Sequence, residues 1–366
     1  MLGAGMITTV SYGFLPGLQK IADRVQVVAI ASRTRALAEQ VARDYAIPAV
    51  YATLAEMLAD AELEAVVNAT PGPVHYETSM EILAAGKHLV TDKPLAATVA
   101  EADEICALAA AKGLLVVCAP FDLLSREWAE ARRLVAAGAV GQVAFARVQS
   151  SHAGPAAMAW PSDPTWFYQQ GAGSLVDIGV YGIDRITGIL GPAQRVTAMS
   201  GQVAAVRDVR GGPFDGRQIA ASEHDNTLLL LDFGDSTFAT VDATYNVVAS
   251  RSAPLEIFGL AGTLVVRRPD AVVSPGQLAL ELFRLDAGPG LSGWVTPHGT
   301  SFEAPRDRTV DLARASLVEH LLDCLEQGSQ PVTSGERARH VLEIMVAART
   351  SAQEGHVVEL ATTFTP

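Results

Sequence analysis

The 366-residue sequence is poor in cysteine: it has three, Cys106, Cys118 and Cys324, widely spaced and odd in number. That excludes a disulfide framework and gives no clustered metal ligands, so no metal site is expected and a reducing cytoplasm suits the chain. Charged residues are also scarce, 18% of the total, and their balance is −13. Nucleic acid is therefore excluded as the main partner, since phosphate binding needs a basic surface. No apolar run reaches the length of a membrane span, and the opening MLGAGMITTV lacks the basic start and apolar stretch of a signal peptide. A G-x-S-x-G nucleophile elbow is missing too. What is present is a globular chain, 49% hydrophobic and too long for one ordinary core.

The first third alternates short apolar runs with helical stretches. Val25–Ala31, Ala65–Ala69, His88–Thr91 and Leu114–Cys118 read as strands, and Arg35–Tyr45, Val74–Ala85 and Thr98–Lys112 as helices. Strands apolar throughout and separated by helices predict a parallel sheet covered on both faces, an α/β Rossmann-type dinucleotide-binding domain over residues 1–119. Beyond it, after a helix at Ser125–Ala137, period-2 alternation recurs. It marks Gln142–Ser150, Gln194–Val203, Thr227–Phe233, Thr237–Tyr245, Leu255–Phe258, Thr263–Val266 and Leu278–Phe283, with tight turns between several of them. This predicts an α+β domain over 120–366 with a large, mainly antiparallel open sheet. Helical patterns at Leu312–Glu326 and Gly335–Gln353 close the chain, while Val206–Arg217 and Asp286–Arg308 read as loops.

Gly3-Ala4-Gly5-Met6-Ile7-Thr8 has the spacing G-x-G-x-x-T. In a dinucleotide fold the first glycine makes the turn, the second lets the backbone approach the pyrophosphate, and the following helix start holds the phosphates. A lone G-x-G is weak, but this one opens a run of βα units. Gly3, Gly5, Met6 and Ile7 are thus cofactor-binding candidates. Only Met1 and Leu2 precede the turn, so either the first strand is a stub or the natural chain begins upstream; the expectation is the latter. Ser32 and Arg33 follow the second strand, where an enzyme preferring NAD usually has an acid for the ribose 2′-hydroxyl. A hydroxyl and a fixed cation there favour NADP, with NAD the alternative.

Asn68-Ala69-Thr70-Pro71-Gly72-Pro73-Val74-His75 follows the next strand, and Gly86-Lys87-His88 leads into Asp92-Lys93-Pro94. Together with the glycine turn, these segments resemble the glucose–fructose oxidoreductase / inositol dehydrogenase (Gfo/Idh/MocA) family. Its "aTP…H" and "G-K-H-V…E-K-P" segments are matched, with Asp92 for the usual Glu. Gly171–Gly182 is similar to the family's "GGG-x-L-x-D-x-G-x-[HY]" segment and supplies Asp177 and Tyr181. The resemblance implies that Lys93 is the active-site lysine and that Pro94 often follows a cis bond. It also implies that Thr70, Pro71, His75, Asp92, Lys93 and Pro94 flank the cofactor, with His75 equally able to cap or pack. Tyr181 stands where inositol dehydrogenase-like members have His, as in the glucose–fructose oxidoreductase and dihydrodiol or xylose dehydrogenase branch.

Four apart, Asp177 and Tyr181 would share a helix face. Oxidising an alcohol needs a base for its proton, and a tyrosine serves near neutral pH only when a cation such as Lys93 lowers its pKa. The competing reading packs Tyr181 on a core helix and uses Asp177 as its cap. Trp166, in an aromatic loop with Trp160 and Tyr168, could line a sugar site or plug a core; His152 and Asp122 are weaker candidates still. Lys93, Trp166, Asp177 and Tyr181 are expected around a small-molecule substrate in a cleft between the domains. The reading is an NAD(P)-dependent oxidoreductase moving hydride between nicotinamide and a sugar, cyclitol or dihydrodiol-type alcohol or carbonyl. The resemblance also implies a homodimer or homotetramer through the open sheet. A non-catalytic NADPH-binding sensor, and an enzyme that cleaves or epimerises glycosides with recycled NAD, are the rivals.

Overall fold

A computed structural model describes residues 1–59, 62–267, 278–297 and 312–366. Two compact units emerge: Met1–Ser125 with Arg306–Leu342, and Arg126–Pro305 with Glu343–Pro366. The sequence division at 119/120 differs in assigning everything after it to one domain. Leu312, Ala315, Leu317, Val318 and Leu321 instead join Phe14, Ile30, Val90 and Val117 in the N-terminal core. Such long-range packing leaves no mark on local periodicity.

In the N-terminal unit the strands are β1 (Ala29–Ala31), β2 (Ala49–Tyr51), β3 (Ala65–Asn68), β4 (His88–Thr91) and β5 (Val116–Cys118). β1 pairs with β2, and β3, β4 and β5 pair in turn, all in parallel. Leu2 joins the two halves by parallel bridges to Ala31 and Asn68. Its N–H donates to the Val67 carbonyl at 2.8 Å, and Gly3 N–H to that of Ala31 at 2.8 Å. The order therefore reverses at Leu2, which is the switch point of a doubly wound sheet. Val66, Leu89, Val90 and Val117 are fully buried, as a sheet with both faces covered requires. The strand expected over Val25–Ala31 is confined to its last three residues, and β2 was not foreseen.

The C-terminal unit contains β6 (Val143–Gln149), β7 (Arg195–Gly201), β8 (Val206–Asp208), β9 (Gln218–Ala220), β10 (Asn226–Asp232) and β11 (Phe238–Thr244). It continues with β12 (Leu255–Gly259), β13 (Gly262–Val266), β14 (Leu280–Gly288), β15 (Leu291–Val295) and β16 (Val358–Glu359). Nine of them form one sheet in the order β15-β14-β13-β12-β6-β11-β10-β7-β16. β6 and β11 pair in parallel; every other neighbouring pair is antiparallel. Along β10, Leu229 and Leu231 are buried while Leu228 and Leu230 are exposed, the alternation of a sheet covered on one face.

Two expected loops are wrong in part. Val206–Arg217 begins with β8, which pairs with β9 in a small hairpin. Gly211, Gly212 and Gly216, all at positive φ, turn the chain between those three-residue strands, and their density reads as loop. Asp286–Arg308 loses its start to β14 and to β15, and its residues 298–308 lie outside the described residues.

Candidate active site

In the N-terminal unit the glycine turn leads directly from the Leu2 bridge. Gly3 has φ +99°, and a Cβ there would meet the Ala69 carbonyl oxygen at 2.7 Å, so only glycine fits. At Gly5 a Cβ would meet nothing within 4 Å, which leaves open ground beside the backbone of the Met6–Thr9 helical turn. Thr8 explains its own departure from the usual third small residue. It is fully buried, and its hydroxyl donates to the Gly3 carbonyl at 3.0 Å, closing the turn. The chemistry of this turn fits a dinucleotide pyrophosphate. Beyond β1, Arg33 is exposed and Ser32 half-buried, whereas Arg35 is paired with Glu39 at 2.9 Å.

The two loops that follow β3 and β4 are tied together. Asn68, fully buried, accepts from the Thr70 hydroxyl at 2.7 Å and donates to that of Thr78 at 2.8 Å, while Pro71 is exposed. His75 is 1% exposed; its Nδ1 lies 2.6 Å from the Pro94 carbonyl oxygen and its Nε2 2.8 Å from that of Thr70. This ring is a tie between backbones. Lys93 is half-buried, and the Lys93–Pro94 bond is cis. The buried Asp92 carboxylate accepts from Lys93 N–H at 2.8 Å and meets Arg314 Nε at 3.1 Å. Burial pushes the Asp92 carboxyl up, but Arg314, then Lys93 and its N–H, then His75 bring it net below the ordinary carboxylate range. Both oxygens of Asp92 thus have protein partners, and the side chain serves to hold the Lys93 turn.

In the C-terminal unit Asp177 lies in a π-helical turn, Leu175–Gly179, that runs into the helix Val180–Leu190 carrying Tyr181. Such turns strand a carbonyl and mark functional sites. Here the Ser150 hydroxyl donates to the Ile178 carbonyl and accepts from Gly182 N–H at 3.1 Å. The two motif glycines are steric: a Cβ at Gly179 would meet Ala243 Cβ at 2.8 Å, and one at Gly182 would meet Val241 Cγ1 at 2.7 Å. Helix and sheet can approach only without those side chains.

The result is a cavity of about 320 Å³ lined by Asp177, Tyr181, Arg185, His152, Trp160 and residues 149–151. Tyr245 donates its hydroxyl proton to Asp177 Oδ2 at 2.8 Å. Gly154 N–H donates to His152 Nδ1 at 2.9 Å, so a neutral His152 carries its proton on Nε2. Arg185 stacks over Trp128, 4.8 Å from the ring centre, and lies 6.0 Å from that of Tyr181. Trp166, 56% exposed, packs on Phe167 and is not part of this wall; Trp160 is. Sequence reasoning missed Arg185, Tyr245 and Arg314. Arg185 stands four residues after Tyr181 on one helix face, a spacing that could have revealed it. The other two pair with residues far away in the chain and leave no local signal. Among the described residues, no group of three or more His, Cys, Asp or Glu side chains could hold a metal ion.

Residues 1–119 match the model of the oxidoreductase family with an NAD-binding Rossmann fold, and residues 128–265 match the GFO/IDH/MocA C-terminal domain. The chain belongs to the GFO/IDH/MocA family. It is 31% identical over 308 residues to trans-1,2-dihydrobenzene-1,2-diol dehydrogenase of Sus scrofa, covering 83% of this chain and 81% of that one. It is 29% identical over 201 residues to the scyllo-inositol 2-dehydrogenase (NADP(+)) of Bacillus subtilis, 54% of this chain and only 53% of that one. Its fold matches levoglucosan dehydrogenase, solved with NADH and L-sorbose, with a TM-score of 0.80 at 20% identity, covering 99% and 98% of the two chains. As a member of the GFO/IDH/MocA family the chain is an NAD(P)-dependent oxidoreductase, with the dinucleotide bound by its Rossmann fold.

Proposed function

We propose that the protein interconverts a secondary alcohol and its carbonyl on a small polyhydroxylated ring, a sugar, cyclitol or dihydrodiol, and prefers NADP. The observation that carries this is the cavity of about 320 Å³ with a carboxylate and a phenol on one wall, room for a single ring. Bound NADP would accept the hydride in oxidation, and its reduced form, NADPH, would donate it in reduction. Tyr181 takes the hydroxyl proton as the alcohol is oxidised and returns it in reduction. Lys93, at the cis-proline turn, is assigned a hydrogen bond to the reacting oxygen. Asp177 accepts from a neighbouring substrate hydroxyl and so fixes which carbon reacts. Relatives that act on a dihydrodiol and on scyllo-inositol support this class of substrate.

The NADP preference rests on Ser32 and Arg33 after β1, where no carboxylate stands to repel a 2′-phosphate. Self-association, as a homodimer or homotetramer, rests on the uncovered sheet face, where Met199, Leu228 and Leu230 are exposed. A cytoplasmic home suits three buried cysteines that form no disulfide; among the described residues, no helix is long and apolar enough to cross a membrane. A panel of aldoses, inositols and dihydrodiols, each with NAD and NADP, tests the reading by nicotinamide absorbance. Turnover of at least one of these with NADP is expected. Turnover confined to simple monohydric alcohols would overturn the substrate class, and higher kcat/KM with NAD would overturn the cofactor choice.

A further inference from the structure

Asp177 can select a substrate hydroxyl only if its carboxylate keeps one orientation, and the wall of its cavity contains a group built to hold it. Tyr245 follows the last residue of β11, and its N–H donates to the Asp225 carbonyl at 2.9 Å. The ring is 1% exposed and packs among Ile178, Phe167, Tyr168, Val209 and Ile219. On one face it stacks against His152, with centroids 5.6 Å apart and planes at 18°. Its hydroxyl has one proton and two acceptors in reach, Asp177 Oδ2 at 2.8 Å and the Gly173 carbonyl at 3.5 Å. The shorter contact, to a charged acceptor, takes the proton.

Burial, and after it the Asp177 carboxylate, push the Tyr245 phenol far above its ordinary value. Its proton therefore stays in place at any working pH, so the group is a fixed donor and never a base. Tyr181, in the cavity wall, is the phenol left for proton transfer. The two tyrosines of this site thus divide the work.

We propose that Tyr245 is the positioning residue of the substrate cavity: its hydroxyl fixes the Asp177 carboxylate for the substrate, and its buried ring backs His152. This rests on the reading of the cavity as the site of alcohol oxidation. Tyr245→Phe keeps the ring and removes only the donor. With the best alcohol of the panel, kcat should fall about tenfold to a hundredfold, as loss of one hydrogen bond to a charged group implies. NADP affinity and the thermal midpoint should hold. In an Asp177→Asn background the same change should cost less than about twofold, because the two groups act as a unit.

A second measurement does not depend on activity or on Tyr245→Phe folding. 3-Fluorotyrosine at position 245 of the full chain should show a fluorine resonance that moves on Asp177→Asn and stays on Arg33→Ala. A kcat unchanged by Tyr245→Phe overturns the proposal, as does an undiminished loss in the Asp177→Asn background or a stationary resonance. If the wild type oxidises no alcohol of the panel, it is the alcohol-oxidation reading that fails, and the fluorine resonance still decides whether Tyr245 holds Asp177.

Discussion

In the N-terminal unit the group that holds the Lys93 turn is a buried carboxylate, Asp92, and its own partner is a buried guanidinium, Arg314. In the C-terminal unit the group that meets Asp177 is a neutral phenol, and the π-helical turn beneath is held by a serine hydroxyl. Both arrangements aim one polar side chain, yet they differ in what happens when a partner goes. Removing one member of a buried ion pair leaves a charge with no compensation. Removing a hydroxyl beside a carboxylate that lines a cavity leaves that carboxylate within reach of water. The first support is tied to the stability of its unit; the second can be lost with the fold intact.

The largest effect tests the proposed chemistry. Tyr181→Phe should lower turnover by about 10²–10⁴-fold, the usual contribution of a general acid–base group. NADP affinity should barely change, since the role proposed for the phenol is on substrate and not on the dinucleotide. Lys93→Met should be similarly severe, and the double variant little worse than either single one if the two groups serve the same oxygen. Turnover and NADP(H) binding of all four proteins decide it. Near-normal turnover in Tyr181→Phe would remove Tyr181 from the mechanism.

Next comes the charged support itself. Arg314→Met should destabilise the N-terminal unit by about 3–5 kcal/mol, because Asp92 is then buried without its cation. Chemical denaturation at neutral pH measures this. The same pair sets a pH dependence. The Asp92 carboxyl is held below its ordinary value, so the stability it contributes is fully present above the unfolded pKa of about 3.9 and is lost as pH falls through the folded one. Without Arg314 that value rises, and acid unfolding should begin at higher pH. Tyr245→Phe should leave both measurements where they are, which makes the pair of variants a direct test of the contrast.

These supports also show what a sequence can reveal. The glycine turn, the strands of the N-terminal sheet other than β2, Lys93–Pro94 and the Asp177–Tyr181 spacing are local patterns, legible because each lies within a few residues. Thr8, where such turns usually have Gly or Ala, is explained only by its hydroxyl on the Gly3 carbonyl. Asp92 was expected beside the cofactor, but its partner Arg314 lies 222 positions away, and no periodicity connects them. Tyr245 sits 68 positions from Asp177 and looked like the end of one more strand. β8 and β9 were too short, and their connection too rich in glycine, to register as a hairpin.

Packing supplies a smaller test in the C-terminal unit. Gly182→Ala would place a methyl 2.7 Å from Val241 Cγ1 and 2.8 Å from Ser150 Cβ, so the helix must shift from the sheet. Overpacking of this kind costs about 1–3 kcal/mol. Because Ser150 holds the π-helical turn, the displacement should reach Asp177 and lower kcat as well as the thermal midpoint. A stable, fully active Gly182→Ala protein would show that the neutral support tolerates movement and that the contrast with Arg314–Asp92 lies in charge alone.

The smallest effect separates an exposed charge from a buried one. Arg33 is exposed, so the attraction to a 2′-phosphate proposed for it would act largely through water. Replacing it by Ala should lower the ratio of kcat/KM with NADP to that with NAD by about tenfold or more, as a charge-assisted phosphate contact implies. Salt should shrink this preference in the wild type, because ions screen exposed charges at about 3 Å in 1 M salt against about 10 Å in 0.1 M. The stability difference between the wild type and Arg314→Met should hardly respond to the same salt, since Arg314 and Asp92 face each other out of solvent. Measuring both quantities over one salt series compares the two arginines of one unit in one protein. A cofactor ratio that ignores both salt and the loss of Arg33 would mean that this arginine is solvated and that another group reads the 2′ position.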